Sequence, residues 1–217
     1  MADIFNEVDE EVRRERLQKL WERYSIYLIA IAVLIVVGIA AWRGYEYWQA
    51  KKAAAAGTAF ESALTLSESG KHAEAEAAFA KVAAEAPAGY RALARLQAAA
   101  ELSVDKPADA VKAYDALAAD SSLGPTLQDL AALRAAMLLV DKTPLAELTR
   151  RLSPLAAPDR TFRHSARELL ALSAWHNHDF TAARRYIDMI ATDADAPPGA
   201  RARAEVLSAL IAGSGKS

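Results

Sequence analysis

Residues 70–87 read GKHAEAEAAFAKVAAEAP, and this stretch decides the fold. Ala75, Phe79 and Val82 recur at four- and three-residue spacings, which puts them on one face of a helix. Gly70 punctuates the chain before that helix and Pro87 ends it. A residue as small as Ala75 lets two helices approach closely, while Phe79 and Val82 are large enough to fill the space against a following element. The pattern returns as Ala110, Tyr114 and Leu117, 35 residues on. Ala146 and Pro158 continue it 36 residues further, with Arg150 where an aromatic is expected. Ala183, Ile187 and Ile190 follow 37 residues later, after His178-Asp179-Phe180. A period this regular predicts stacked helical hairpins.

Outward from that stretch, first helices are expected near 45–68, 88–103, 124–140 and 160–176. Their partners are expected near 72–86, 107–119, 144–156 and 179–192. Breaks fall between them at Ser69-Gly70, Asp105-Lys106-Pro107, Gly124-Pro125, Thr143-Pro144, Pro158 and Pro197-Pro198-Gly199. A last helix over about 200–212 would cap the open end of the stack. Composition agrees: the 217 residues include 52 alanines, the best helix former, against 9 Gly and 8 Pro, too few for an all-β chain. The fold class is therefore all-α.

The stretch 70–87 resembles the second helix of a tetratricopeptide hairpin. That resemblance implies a solenoid whose inner face binds an extended segment or a partner helix. Its inner-face positions, carried onto this sequence, are Phe60, Leu64, Arg95, Leu102, Glu168, Leu172 and Trp175. Arg95 and Glu168 would orient a polar backbone, and Phe60 and Trp175 would supply apolar contact. The plain alternative is that several of these residues pack inside the hairpins.

Residues 24–42, YSIYLIAIAVLIVVGIAAW, carry no charge. As a helix they are ~28 Å long, close to the ~30 Å hydrocarbon core of a bilayer. Trp21 and Tyr24 stand at one edge and Trp42 and Trp48 at the other, as membrane-interface anchors. A cleavable signal peptide would have a shorter apolar run and no long charged leader. Arg13, Arg14, Arg16, Lys19 and Arg23 precede the span, whereas Arg43, Lys51 and Lys52 follow it. This bias places the N-terminus in the cytoplasm. The expected organisation is a cytoplasmic helical segment 1–23, a transmembrane helix 24–42 and a periplasmic repeat domain 43–217. In the first segment Phe5, Val8, Val12, Leu17 and Leu20 follow helical spacing behind an Asn6 cap.

Charge and chemistry exclude other classes. Five of the 26 basic and seven of the 28 acidic residues lie before residue 43, leaving 21 of each beyond it. Nucleic acid, which demands surplus cations, is not an expected partner. With no cysteine there is no disulfide, thiolate metal site or thiol nucleophile. His176-Asn177-His178 could hold a metal, but no third ligand stands at a credible spacing, and a basic residue at a helix end explains the pair. No nucleophile, phosphate-loop or dinucleotide motif occurs. No cofactor, metal site or catalytic residue is expected, and the chain does not read as an enzyme.

Taken whole, the charged start, the single span, the Trp42-Arg43…Tyr47-Trp48 run and the alanine-rich repeats resemble the YfgM-type ancillary subunits of the SecYEG translocon, in an alphaproteobacterial form. The opening MADIFNEVDEEVRRERLQKLWERY and the later FRHSARELLALSAW carry the same likeness. The resemblance implies a single-pass protein of the bacterial inner membrane whose periplasmic repeats meet the translocon, periplasmic chaperones and exported clients. The alternative from the residues is a scaffold for envelope assembly or cell division. Gly38, Ala40 and Ala41 would let spans pack together as a homo-oligomer, although no G-x-x-x-G occurs.

Overall fold

A computed structural model describes the backbone of residues 3–214 and the side chains of residues 21–213. Among the described residues the chain is all-helical, with one short 3-10 turn. The helices are α1 (Asp3–Glu68), α2 (His72–Glu85), α3 (Ala88–Asp105), α4 (Pro107–Ala118), α5 (Pro125–Leu139), α6 (Leu145–Leu152), α7 (Arg163–His176), α8 (Phe180–Ala191) and α9 (Pro198–Ser214). The chain divides into two compact units, Met1–Ala54 and Ala55–Ser217. The apolar pattern Phe5, Val8, Val12, Leu17 and Leu20, with the Asn6 cap, lies outside the residues described in side-chain detail.

In the first unit α1 is long and apolar enough to cross a membrane, and none of its apolar window is buried in the protein. Ile26, Leu34 and Val36 are all more than 60 % exposed. Such a face costs free energy in water at every residue, so the composition that makes this helix is also what requires an apolar surrounding.

The second unit is built from hairpins. The end of α1 packs with α2 through Ala56, Ala63, Ala75, Phe79 and Val82. Phe60 lies edge-on to Phe79 at 5.2 Å and beside Tyr90 at 6.0 Å. A β-carbon added at Gly57 would lie 3.0 Å from the Tyr90 hydroxyl, so glycine leaves room for the tip of that side chain. The second hairpin, α3 and α4, buries Leu96, Ala99, Tyr114 and Leu117 against Ala131 and Ala135 of α5. The largest cluster joins α5 to α9 through Leu148, Leu152, Leu170, Ile187, Ile190, Leu207 and Ile211. The positions that define the period are buried in three hairpins: Ala75, Ala110 and Ala183 have no exposed surface, and Phe79, Tyr114 and Ile187 beside them are at most 5 % exposed.

The third hairpin departs from the expected register. Ala146 is exposed, and Leu148, Leu152 and Leu155 fill the interior instead. The helix expected over 144–156 stops at Leu152. The cause is the longer link through Asp141-Lys142-Thr143-Pro144, which moves the inward face of α6 two residues along the chain.

Two hairpin turns share one device. At the end of α1 the Lys71 amide donates to Leu66 carbonyl (3.0 Å) and the Gly70 amide to Ser67 carbonyl (2.9 Å), with Gly70 at φ 74°. At the end of α7 the Asp179 amide donates to Ala174 carbonyl (2.8 Å) and the His178 amide to Trp175 carbonyl (3.0 Å), with His178 at φ 60°. Both are Schellman closures, which need a left-handed residue that glycine adopts freely and histidine does not. His178→Gly should therefore raise stability by about 0.5–1 kcal/mol, and His178→Val should lower it by about 1 kcal/mol. Thermal unfolding of the detergent-solubilised chain, followed by helical circular dichroism, checks both signs.

Candidate functional site

Two apolar grooves lie among the described helices of the second unit. The first has α3 as its floor, with Arg95, Ala98, Ala99 and Leu102. Glu76, Ala80 and Ala83 of α2 form one wall and Ala113, Ala116 and Leu117 of α4 the other, enclosing about 350 Å³. The second lies among α7, α8 and α9. It encloses about 320 Å³ between Ala171 and Leu172, Ile187 and Ile190, and Ala204, Val206, Leu207 and Leu210. The first groove is lined largely by alanine, whereas leucine, isoleucine and valine line most of the second.

The seven residues carried over from the repeat fall in different places. Arg95 and Leu102 line the first groove, and Glu168 and Leu172 line the second. Phe60 and Leu64 are partly buried against the core of the first hairpin. Trp175 is partly buried beside the largest cluster, edge-on to His176 at 5.0 Å. Ala80, Ala83, Ala113 and Ala116 gave no sequence signal as lining residues, because alanine is everywhere in this chain. Val206 and Leu210 belong to α9, which reads as a terminal cap. The interface anchors Trp21, Tyr24, Trp42 and Trp48 are all about half exposed or more, on α1.

Ion pairs hold the groove rims. Arg95 Nη1 donates to Asp120 Oδ2 at 2.5 Å, and Ser122 donates to Asp120 Oδ1 through its hydroxyl (2.6 Å) and amide (3.1 Å). The Arg95 guanidinium and then Ser122 lower the Asp120 pKa to about 2. At the second groove Arg203 makes a two-pronged pair with Glu168, at 2.5 and 2.9 Å.

The link from α8 into α9 is fixed by a denser network. Arg163 Nε donates to Asp193 Oδ2 (2.9 Å), and Arg201 donates to the Asp193 and Ala194 carbonyls. Arg167, only 4 % exposed, donates to the Ala156 and Met189 carbonyls and to Asp193. Hydrogen bonding from Arg163, with help from the Asp195 amide and Arg167, holds Asp193 well below the usual carboxylate range. Beside it, His164 has no hydrogen-bond partner on either ring nitrogen, and Nε2 lies 3.8 Å from Asp193. Burial lowers its pKa, and Arg163 and Arg167 lower it further against the pull of Asp193.

His176 Nε2 lies 3.1 Å from Asp141, while His178 occupies the turn. Among the described residues no group of three or more His, Asp or Glu is arranged to hold a metal ion.

A chain of repeated hairpins with an alanine-rich interior and apolar furrows is a tetratricopeptide-type protein-interaction fold, a class that is generally not catalytic. The tetratricopeptide repeat-like domain family matches residues 18–184, and the chain belongs to that family. Neither a curated protein nor a solved structure matches it.

The lowered groups set a pH dependence. A carboxylate held below its unfolded value stabilises the fold at neutral pH and ceases to do so as pH falls through the folded value. For both carboxylates that loss begins near pH 4; it is complete by about pH 2 for Asp120 and extends lower for Asp193. His164 adds a penalty that begins below its unfolded pKa of about 6.5, because the buried ring resists protonation. The thermal midpoint should fall steadily between pH 7 and pH 3. Asp193→Asn should lower the midpoint at pH 7 and flatten the part of the fall below about pH 4, as melts across the pH series will show.

Proposed function

We propose that this chain is a membrane-anchored protein-binding module, an ancillary subunit of the SecYEG translocon that assists exported proteins and periplasmic chaperones. The observation carrying the reading is the pairing of an entirely exposed apolar helix with two furrowed hairpin faces in one chain. A helix of that kind needs a bilayer, because lipid is the surrounding in which its face is not penalised. The span covers 24–42, the N-terminus faces the cytoplasm, and the repeat domain 43–217 faces the periplasm of a bacterial inner-membrane protein.

Tethering matters energetically. A groove held beside a channel exit meets emerging chain at high effective concentration, so short apolar contacts suffice for capture. The first groove offers apolar floor and walls with Arg95 and Glu76 at its edges, which suits a segment of bulky apolar residues that carries backbone polar groups past the rim.

Photo-reactive residues at Leu102 and Leu172 in the intact, membrane-embedded chain should give adducts with translocon subunits, periplasmic chaperones or exported clients. Ala98→Trp, which fills the first groove, should cut the Leu102 adducts by roughly tenfold while helical content stays unchanged. Adducts confined to division or envelope-assembly proteins would replace this reading with the scaffold. Protease added to opened cells should remove the repeat domain and leave the N-terminal segment protected; the reverse pattern would invert the topology.

A further inference from the structure

Immediately beyond the apolar stretch, one face of α1 carries four side chains linked by successive pairwise contacts. Gln49 Nε2 donates to the Tyr45 hydroxyl at 2.7 Å, the Tyr45 and Trp48 rings lie 6.3 Å apart, and Lys52 Nζ sits 3.7 Å from the centre of the Trp48 ring. Tyr45 and Trp48 are 57 % and 50 % exposed. This is a cation folded onto an aromatic face outside any hydrophobic core, an arrangement that needs a reason.

Helix geometry supplies one. Side chains lean toward the N-terminus of their helix, so Lys52 reaches back a full turn toward the apolar stretch. Trp48 stands six residues past Trp42, ~9 Å along the axis. The headgroup layer on each side of a ~30 Å core is roughly 5–8 Å deep. The Trp48 backbone thus stands just outside that layer, and its ring and the ammonium over it, leaning back by up to a turn of ~5 Å, enter it at the level of the lipid headgroup.

Charge selects the lipid. Between Arg43 and Lys52 there are three cations and one acid, Glu46, which pairs with Arg43 at 3.5 Å. The next acid in the chain is Glu61. We infer that the Tyr45–Trp48–Gln49–Lys52 face binds the headgroup of an anionic phospholipid, with the Lys52 ammonium on the phosphate and the Trp48 ring packed against the glycerol region. This rests on the membrane-anchored reading. One lysine at an anionic surface changes lipid occupancy about fivefold.

The test uses the full chain with Trp21→Phe, Trp42→Phe and Trp175→Phe, so that Trp48 alone reports. It is reconstituted in phosphatidylcholine vesicles containing the same minor fraction of either brominated phosphatidylglycerol or brominated phosphatidylcholine. Trp48 fluorescence should be quenched more by the anionic lipid. Lys52→Gln should reduce that preference about fivefold, and Lys52→Arg should keep it, with helical circular dichroism matched throughout. Equal quenching by the two lipids, or a preference that survives Lys52→Gln, overturns the inference. A preference abolished by an equal concentration of inorganic phosphate overturns it in favour of a free-phosphate site. If neither lipid quenches Trp48, the membrane reading itself fails, a result distinct from equal quenching.

Discussion

Close approach between helices at alanine is the constraint on which the repeat unit depends. Ala63, Ala75, Ala94, Ala110, Ala131, Ala135, Ala136, Ala166, Ala171, Ala174 and Ala183 all have no exposed surface. Each stands where a longer side chain would push two helices apart, and the larger residues beside them then close the remaining space. The same economy leaves the first groove on the outside, where alanines of α2, α3 and α4 bury one another without filling the surface between them. Packing and groove thus arise from one choice of residue.

Polar ties fix what alanine alone leaves loose. Glu101, buried at the second hairpin, accepts from the Ser67 hydroxyl at 2.6 Å and lies 2.8 Å from His72 Nδ1, linking α1, α2 and α3. Arg151 of α6 reaches Asp115 of α4 at 2.8 Å, and Arg160 pairs with buried Asp129 of α5. These contacts join residues about one repeat apart in sequence. They need that spacing to be kept, whereas apolar contacts tolerate small shifts.

How much of this was legible in the sequence follows the same division. Helix limits were readable because Gly70, Pro107, Gly124-Pro125 and Pro197-Pro198 break the chain where the hairpins end. The third hairpin was misread at Ala146 because, in an alanine-rich helix, one alanine is indistinguishable from the next, and the deciding residues were Leu148, Leu152 and Leu155. The grooves were only partly legible. Arg95, Leu102, Glu168 and Leu172 line them, but that the furrows run among three helices each is a product of packing. The walls contributed by α9 depend on the Arg163–Arg167–Asp193 network, whose members lie up to 30 residues apart.

The apolar interior is divided into three clusters rather than one. A loosened side chain in the first hairpin is felt by its immediate neighbours and by little else, so damage stays local in a way a single shared core does not permit. The first two hairpins each keep a cluster centred on their own alanine seam, whereas the leucine-filled third hairpin shares its cluster with the fourth and with α9. Modularity of this kind tolerates change in one segment at a time.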